Sequence, residues 1–574
     1  SSCRLSISRA SLACGAFSAA VLFYVLCADL HGDGRRYDVY QFDDRKPQSI
    51  DDDDAGSPLA ALAQHGNHDV VTTKMPSTVP DLFGLPIGPL PDENRGFYRT
   101  AVVTNNPRGG ITVRVTSIQQ CGNKRIPKLR IGNVPYALHK TTISASCPWF
   151  FAPKCQLVGY YLSANLALTM SHKSPLPQPL PPYAELFDKE NLAWHSIELI
   201  DGRRTQDRRH KLAVCLQPIY LMADWPLVPN FFESWIGHGA TIFYIYVNSI
   251  SEEVDVMLRM YEDQADIEVI RVDWPALPSD LSDTDPGNPN NRLYRTEVAT
   301  AVNDCVHRSR ATAKLVVSSD LDEIIAPLNG EEKLLDIIEE LKTNHGKSGK
   351  VPAAFIFKHS FAYAENTWSR ITHPSQLSFS HYERIAIEKR VWEKGLRSKV
   401  IMMPERIFRA HVHSVVAFEH RRWTDVVIPE ERARVLHFRQ IQSAAMNRSE
   451  VDEGSTVLAK ASVIWQETYT RRLRTAIEAQ AEGGVIRSGP VDNAIDDDNP
   501  TDDLQQPSSL NLTLSTPIWP NRGKEILSEI EECRTRNSAV KEDRCLTQFS
   551  CRSTMPGIKS IEWREPSRDA WVVF

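Results

Sequence analysis

The stretch KLVVSSDLDEIIAP, residues 314–327, ends a short apolar run on three acidic residues, Asp320, Asp322 and Glu323. The run is typical of a buried strand, and carboxylates at the carboxyl end of such a strand carry a desolvation cost unless a cation compensates them. Other Asp-x-Asp spacings in the chain, at 51–54, 283–285 and 496–498, lie among Ser, Pro, Gly or Asn and indicate solvated loops. The acids at 320–323 therefore indicate a functional site.

The residues before this stretch alternate between strand and helix patterns. Strands are predicted at 211–220, 240–249 and 267–275. Helices are predicted at 227–239 and around Val298–Val306. A further helix is predicted to follow Ser249 and Glu252, which have the spacing of a capping box. Strands that alternate with helices predict an α/β fold with a mostly parallel central sheet. Later strands are expected in AAFIFKHSFA, SKVIMMPERIFRAHVHSVV and RVLHFRQ.

Ligands of open α/β sheets collect at the carboxyl ends of the strands. Four such ends are predicted to converge, at residues 218–220, 247–249, 273–275 and 320–322. Two carboxylates separated by one residue can together bind a hard divalent cation, which typically bridges to substrate phosphates. Because no glycine-rich phosphate loop precedes a helix, a kinase or a P-loop ATPase is disfavoured.

The whole chain of 574 residues is long enough for several domains, and its 42% hydrophobic content supports a sizeable core. Its formal net charge is −6, and the sequence contains no basic stripe. Nucleic acid is therefore not expected as a partner.

The first residues predict a membrane anchor. Residues 10–28 carry no charge, Arg4 and Arg9 precede them, and Asp29 and Asp33 follow. This pattern predicts a cytosolic tail (1–9), a transmembrane helix (10–28) and a flexible stem rich in Asp, Gly, Pro and Ser (29–95). The alternative is a cleaved signal peptide. Both interpretations send the rest of the chain through the secretory pathway.

Composition divides the remaining chain into four parts. We predict a β-rich module with a proline-rich connector (96–183), an α/β catalytic domain (184–480), an acidic linker (481–510) and a cysteine-containing tail (511–574). Eight cysteines follow the predicted anchor, an even number that permits disulfides without fixing their pairing. The pairs Cys147–Cys155 and Cys545–Cys551 are close enough in sequence for local loops.

Several motifs together resemble glycosyltransferase family 92. They are Cys-x-x-Pro-x-Tyr at 215–220, Gly-Ala-x-x-Phe-Tyr-x-Tyr at 239–246, Asn-Asp-Cys at 303–305, Asp-x-Asp-Glu at 320–323 and His-aromatic-Arg at 437–439. The resemblance covers about residues 95 to 445. Phe438 stands where the family usually has Tyr, and Ser319 stands where an aromatic residue often precedes the first Asp.

This resemblance implies a glycosyltransferase-A fold, a single-pass type II Golgi membrane protein and inverting transfer of a hexose, first of all galactose from UDP-galactose. The acceptor would be a glycan on a glycoprotein or glycolipid. Asp320 and Asp322 would bind Mn²⁺ or another divalent cation, with His437 as the first choice and His413 as the second choice for a further ligand. The sugar nucleotide is expected at residues of the four strand ends: Pro218, Tyr220, Asn248, Asp273 and Asp320.

Inversion requires a general base that takes the proton of the acceptor hydroxyl. The candidates are Glu383, Glu388 and Glu393, each of which could equally be a solvated side chain. Glu323 is expected to cap a helix that begins near Ile324 rather than to act in catalysis. Four further side chains have two interpretations each: Trp368 and Trp392 could stack on a sugar or pack, and Arg397 and Lys399 could steady phosphates or lie on the surface.

Two alternatives stay open at this stage. The donor could be another UDP-sugar, such as UDP-glucose or UDP-N-acetylhexosamine. The chain could also be a catalytically inactive glycan-binding or scaffold protein, although the intact Asp320/Asp322 pair argues against this. Glycoside hydrolysis fits poorly, because its two carboxylates normally sit on separate elements about 5 to 10 Å apart.

Overall fold

The computed structural model describes residues 95–574 with short gaps, the longest being 167–175, 441–449 and 482–511. The predicted cytosolic tail and anchor lie outside the described residues. The predicted stem and acidic linker lie almost wholly outside them too.

The first part of the described chain is a mixed sheet. Its strands in chain order are β1 (Gly96–Asn105), β2 (Ile111–Gln120), β3 (Lys128–Ile131), β4 (Val134–Tyr136), β5 (His139–Thr142), β6 (Leu157–Leu166), β7 (Tyr183–Asp188) and β8 (Ala193–Asp201). Their spatial order is β4-β3-β7-β8-β1-β2-β6-β5. Because β8 pairs in parallel with the central strand β1, the sheet extends to Asp201 and does not end at the predicted boundary of 183.

The alternating elements predicted from the sequence follow this sheet. They are β9 (His210–Ile219), α1 (Leu227–Gly237), β10 (Ala240–Val247), α2 (Glu252–Glu262), β11 (Glu268–Asp273), α3 (Val298–Arg308) and β12 (Ala313–Ser319). The strands β9 to β12 are parallel and have the order β11-β10-β9-β12. Along β9, Leu212 and Val214 share a core with α1 and α2, whereas Ala213 and Cys215 share one with α3. Both faces of the sheet are therefore buried, as parallel sheets require.

The rest of the domain completes this sheet and adds a smaller one. The elements are β13 (Glu323–Pro327), α4 (Leu334–His345), β14 (Val351–Phe357), β15 (His359–Ala364), β16 (Ile385–Glu388), β17 (Lys399–Met402), β18 (Ile407–Ala410), β19 (Val415–Phe418), β20 (Trp423–Val427), β21 (Ala433–Gln440), β22 (Val451–Ser455) and α5 (Ala459–Ala481). The central sheet has the order β11-β10-β9-β12-β17-β14-β20, in which only β17 is antiparallel among the described strands. The second sheet has the order β13-β21-β15-β16-β22, and β18 pairs with β19.

Two local predictions differ from the structure. Ser249 does not cap α2, because its hydroxyl accepts a hydrogen bond from the backbone N–H of Leu221 and the helix begins after Ser251. Glu323 does not cap a helix, because the chain continues as strand β13.

Helix α3 joins the first sheet to the central sheet through buried polar contacts. The carboxylate of Asp304 accepts hydrogen bonds from Thr100 of β1 at 2.8 Å and from Tyr246 of β10 at 2.5 Å. Just before the helix, one oxygen of Glu297 accepts hydrogen bonds from the backbone N–H of Gly159 in β6 and from the hydroxyl of Thr300. The two sheets are therefore held together by acids that lie out of water.

The C-terminal residues form ordered structure against the domain. They contain α6 (Gly523–Ala539), α7 (Cys551–Thr554), α8 (Pro556–Lys559) and β23 (Val572–Val573), which pairs with β1. Among the described residues there are four disulfides: Cys121–Cys147, Cys155–Cys545, Cys215–Cys305 and Cys533–Cys551. The local pairs Cys147–Cys155 and Cys545–Cys551, which the sequence spacing permits, do not form, because the fold pairs each of these cysteines with another one. Four disulfides fit a chain that folds in an oxidising compartment.

The buried Glu297 carboxyl predicts a specific dependence of stability on pH. Burial raises the pKa of Glu297 from 4.5 to about 7. Between these values the folded state keeps the proton that the unfolded chain has lost, so the free energy of unfolding falls as the pH rises. Glu297→Gln keeps the acceptor oxygen and removes the charge. We expect the variant to gain roughly 3 kcal/mol over the wild type between pH 4.5 and pH 8.

Urea denaturation of both proteins at pH 4.5, 6 and 8 measures this difference. A constant offset between them across the three pH values would mean that Glu297 does not titrate with folding.

Candidate active site

A cavity of about 350 Å³ lies at the carboxyl edge of the central sheet. The predicted strand ends meet here, since the cavity is lined by Pro218, Ile219, Tyr220, Asn248, Trp274, Pro275, Asp320, Leu321 and Asp322. The chain runs outward in one direction from β9 through β10 to β11, and β12 lies on the other side of β9. Such a reversal of strand order opens a crevice at the strand ends, which is where α/β sheets bind ligands.

The two aspartates that follow β12 lie at the cavity and keep access to solvent. The side chains of Asp320 and Asp322 are 38% and 39% exposed. The loop that carries them is fixed by its backbone, because the N–H of Phe438 donates to the carbonyl of Asp322 and the amide of Asn230 donates to that of Leu321. Both carboxylates are therefore held at the edge of the sheet and are open to a ligand.

A buried lysine lies beneath the acids. The ammonium group of Lys399, at the start of β17, is 2.7 Å from Asp320 and 2.8 Å from Glu323, and its side chain is fully buried. Burial lowers the pKa of Lys399, but the two carboxylates together raise it above its usual range. Burial raises the pKa of Glu323, while Lys399 acts in the opposite direction. Of the two interpretations of Lys399, a position on the surface is excluded, because its ammonium group is buried and neutralises the carboxylates of Asp320 and Glu323.

The register of the small sheet brings His437 to the acids. Glu323 of β13 pairs directly with His437 of β21, which in turn pairs with Phe361 of β15. Residues paired in neighbouring strands have their side chains on the same face. The Nε2 atom of His437 lies 3.0 Å from Asp322, and its Nδ1 atom lies 3.6 Å from Glu323. His437 is thus held between two carboxylates.

The second-choice histidine, His413, is hydrogen-bonded to the backbone beside Lys399. The Nδ1 atom of His413 makes a hydrogen bond to the carbonyl of Ser398 at 2.9 Å. Among the described residues, the three side chains placed so that they could hold one metal ion are those of Glu323, His359 and His437, whose ligand atoms lie within 4.8 Å of one another. Sequence reasoning missed His359, which is fully buried and has no hydrogen-bond partner for either ring nitrogen among the described residues. Burial lowers the pKa of His359 to about 2, so its ring is neutral and able to act as a ligand.

The other predicted residues separate into those at the cavity and those away from it. Asp273 is exposed and is not among the residues that line the cavity. Asn248 lines it, with its side-chain amide donating to the carbonyl of Trp274. Glu383 and Glu393 are exposed, whereas the carboxylate of Glu388 accepts hydrogen bonds from the indole of Trp392 and the backbone of Phe361.

The two tryptophans predicted to stack or pack have protein neighbours. The indole of Trp368 donates to the carbonyl of Ser378, and its ring packs edge-on against His381. The guanidinium groups of Arg390 and Arg397 lie over the ring of Trp392, at 3.7 and 4.9 Å from its centre. In the structure both side chains therefore pack within the protein.

Left-handed backbone conformations cluster near the cavity. Arg295 lines it and has a φ of 51°, and its neighbour Glu297 has a φ of 55°. Leu221, between two lining residues, has a φ of 50°, and Arg397, two residues before Lys399, has a φ of 59°. Non-glycine residues in this region store strain and are concentrated at functional sites.

Comparison with known proteins finds a family that matches part of the chain. Residues 210–480 match the model of Glycosyltransferase family 92. This region, which is slightly less than half of the chain, is therefore similar in sequence to a family 92 glycosyltransferase domain. The Caenorhabditis elegans protein named Glycosyltransferase family 92 protein F59C6.8 is 22% identical over 236 residues, which cover 39% of this chain and 41% of that relative. The match thus spans less than half of the relative's length.

Two solved structures are also similar to part of the chain. The crystal structure of S. aureus TarS 1-349 has a TM-score of 0.19 at 11% identity and covers 40% of this chain and 60% of that one. The structure of HddC from Yersinia pseudotuberculosis has a TM-score of 0.20 at 10% identity, with coverage of 40% and 93%. These scores are too low to define the fold, which rests on the strand order of the chain itself.

The prediction of a single-pass Golgi membrane protein is contradicted by the described helices. Within the ranges that the structure describes, none is long and apolar enough to cross a membrane. The 23-residue α5 is long enough but carries several charged side chains. The predicted span at 10–28 lies outside the described residues.

The buried Lys399 predicts a large effect on stability. In Lys399→Met the carboxylate of Glu323 stays buried without its cation, so we expect a loss of roughly 3–5 kcal/mol in the free energy of unfolding. Lys399→Met combined with Glu323→Gln should recover part of this loss. Lys342→Met is the matched control, because Lys342 pairs with Glu339 on the surface and such a pair contributes about 1 kcal/mol or less. Urea denaturation measures all three, and equal losses in the two single variants would contradict this role of Lys399.

Proposed function

We propose that the protein is a metal-dependent hexosyltransferase that moves a sugar from a nucleoside diphosphate donor to a glycan. The observation that carries the proposal is the pair of half-exposed aspartates, Asp320 and Asp322, at the strand-order reversal of a family 92 glycosyltransferase domain. A site of this kind has carboxylates for a cation, a cavity for a donor and an open edge for an acceptor. UDP-galactose is the first donor to test, and a glycan of a glycoprotein or glycolipid is the acceptor class.

The side chains at the rim of the cavity fit a divalent cation such as Mn²⁺. Asp320 and Asp322 offer hard oxygen ligands, and the Nε2 atom of His437 lies 3.0 Å from Asp322, a distance at which both groups could bind one ion. When bound, the cation would neutralise charge on the leaving diphosphate. Glu323 lies 3.6 Å from the other nitrogen of His437, on the side of the ring away from Asp322.

Arg295 adds a positive charge to the cavity wall, and it is the only cationic residue among those described that line the cavity. A guanidinium suits phosphate oxygens because it can donate two parallel hydrogen bonds. We therefore propose that Arg295 binds the diphosphate of the donor.

We assign transfer with inversion, which needs a general base near the acceptor hydroxyl. Of the three glutamates predicted for this role, Glu388 is the best placed. Trp392 and the backbone of Phe361 hold its carboxylate, and the ring of Phe361 packs 5.5 Å from that of His437. Glu383 and Glu393 are exposed and lack this connection to the rim.

The decisive experiment is a panel of sugar nucleotides with the purified protein, with and without EDTA. We expect release of UDP from UDP-galactose in the presence of Mn²⁺ and loss of that release with EDTA. Release from UDP-glucose or a UDP-N-acetylhexosamine instead would reassign the donor. No release from any donor with any acceptor would favour an inactive glycan-binding protein.

Two substitutions test the rim. Asp322→Asn and His437→Ala should each lower the rate of transfer by more than about 100-fold, because each removes a ligand of the cation. Asp452→Asn is the matched control, since this carboxylate is 73% exposed and lies on β22, away from the cavity. Wild-type rates in both rim variants would count against the metal assignment.

A third substitution locates the metal. His359→Ala should keep Mn²⁺ binding, measured by calorimetry, if the rim holds the ion. Loss of Mn²⁺ binding in this variant, with binding intact in Asp320→Asn, would move the ion to the buried group of Glu323, His359 and His437.

A further inference from the structure

The C-terminal segment, residues 512–574, supplies part of the cavity wall. Ile530 of α6, Phe549 and Trp571 line the same cavity as Asp320 and Asp322. All three lie beyond residues 210–480, the range of the family 92 match. One side of the candidate donor site is therefore formed by a segment that lies outside the residues of the family 92 match.

The segment is tied to the loops that follow the strands β9, β10 and β11. The hydroxyl of Tyr220 donates to the carbonyl of Phe549 at 3.2 Å. The indole of Trp571 donates to the carbonyl of Pro275 at 3.0 Å. Ile250 and Arg564 exchange two backbone hydrogen bonds, of 3.1 and 2.8 Å. The segment thus follows one edge of the sheet across three successive strand ends.

Covalent and aromatic contacts hold the segment in this position. Cys545, four residues before Phe549, forms a disulfide with Cys155 of the first sheet, and Cys533 of α6 forms one with Cys551. The ring of Trp571 packs edge-on against that of Trp274 at 5.2 Å, and the guanidinium of Arg99 lies over both rings. These contacts fix the C-terminal segment against the strand ends that line the cavity.

The chemistry of the wall suits a nucleoside. The cavity lining includes apolar and aromatic side chains, among them those of Tyr220, Leu277, Ile530 and Phe549. Flat aromatic surfaces bind nucleobases by stacking, which does not depend strongly on the identity of the base. The acids and Arg295 are the charged residues of the same lining and suit a cation and the diphosphate.

The direction of the donor follows from the strand order. A diphosphate at Asp320 and Asp322 lies at the end of β12, and the other strand ends that line the cavity are those of β9, β10 and β11. A nucleoside joined to that diphosphate therefore extends along this side, toward Tyr220 and the C-terminal segment.

We propose that the C-terminal segment is part of the donor site and that Phe549, with Ile530 and Tyr220, forms the subsite for the nucleoside of the donor. The inference rests on the proposed transferase function. It assigns a binding role to residues outside the family 92 domain.

The test compares two probes that differ only in the nucleoside. Binding of UDP and of pyrophosphate, each with Mn²⁺, is measured by calorimetry on the full chain. We expect Phe549→Ala to weaken UDP binding by about 10-fold or more and to leave pyrophosphate binding unchanged. Ile530→Ala should weaken UDP binding by a smaller factor.

The controls separate binding from folding. Leu527→Ala removes a large apolar side chain from the same helix as Ile530, but Leu527 is 46% exposed and does not line the cavity, so UDP binding should stay at the wild-type value. Phe549→Leu keeps an apolar side chain in the wall. It should remain folded, as judged by its melting temperature, and still bind UDP more weakly than the wild type.

Three outcomes would overturn the inference. Wild-type UDP affinity in both Phe549 variants would show that the segment is only a structural clamp. An equal loss of UDP and pyrophosphate binding in Phe549→Leu would mean that the change disturbs the rim and not a nucleoside subsite. If the wild-type protein binds pyrophosphate but not UDP, GDP, CDP or ADP, both the nucleoside subsite and the nucleotide donor are excluded. If it binds UDP but transfers no sugar, only the transferase function is excluded.

Discussion

The ammonium group of Lys399 is the interaction on which the geometry of the cavity edge depends. It lies out of water between Asp320 and Glu323, at 2.7 and 2.8 Å, and no other lysine or arginine forms an ion pair with these two acids among the described residues. Without this charge, the carboxylates of Asp320 and Glu323 would repel each other, and Glu323 would be buried without the cation that it pairs with. Lys399 therefore allows Asp320 and Glu323 to lie close together at the edge of the sheet in the absence of a ligand.

The acids also mark the point where the chain passes from one sheet to another. Strand β12 belongs to the central sheet and β13 to the smaller one, with only residues 320–322 between them. The central sheet supplies the cavity, and the smaller sheet supplies His437 through its register with Glu323. Because the connection is so short, any shift between the two sheets would move both aspartates relative to His437. A precise site is thus obtained from two separate hydrogen-bond networks.

The motifs that resemble the family divide into those at the cavity and those that build the scaffold. The Asn-Asp-Cys motif on α3 is entirely structural in this protein. Asn303 makes two hydrogen bonds to the backbone of Ala410, Asp304 joins β1 to β10, and Cys305 forms a disulfide with Cys215 of β9. A family motif can therefore consist of residues that stabilise the fold around the site and do not line the site themselves.

The sequence by itself determined the alternating strands and helices, the mostly parallel sheet, the meeting of its strand ends and the position of the paired aspartates. Each of these follows from local patterns: apolar periodicity, turn residues and acids at a strand end. Only the tertiary structure decided the partners of those acids. Lys399 lies 79 residues after Asp320, His437 lies 115 after Asp322, and His359 and the C-terminal wall carry no local signal of their roles. Such partnerships depend on strand register, disulfide pairing and the burial of charge, and these exist only when distant segments are packed together.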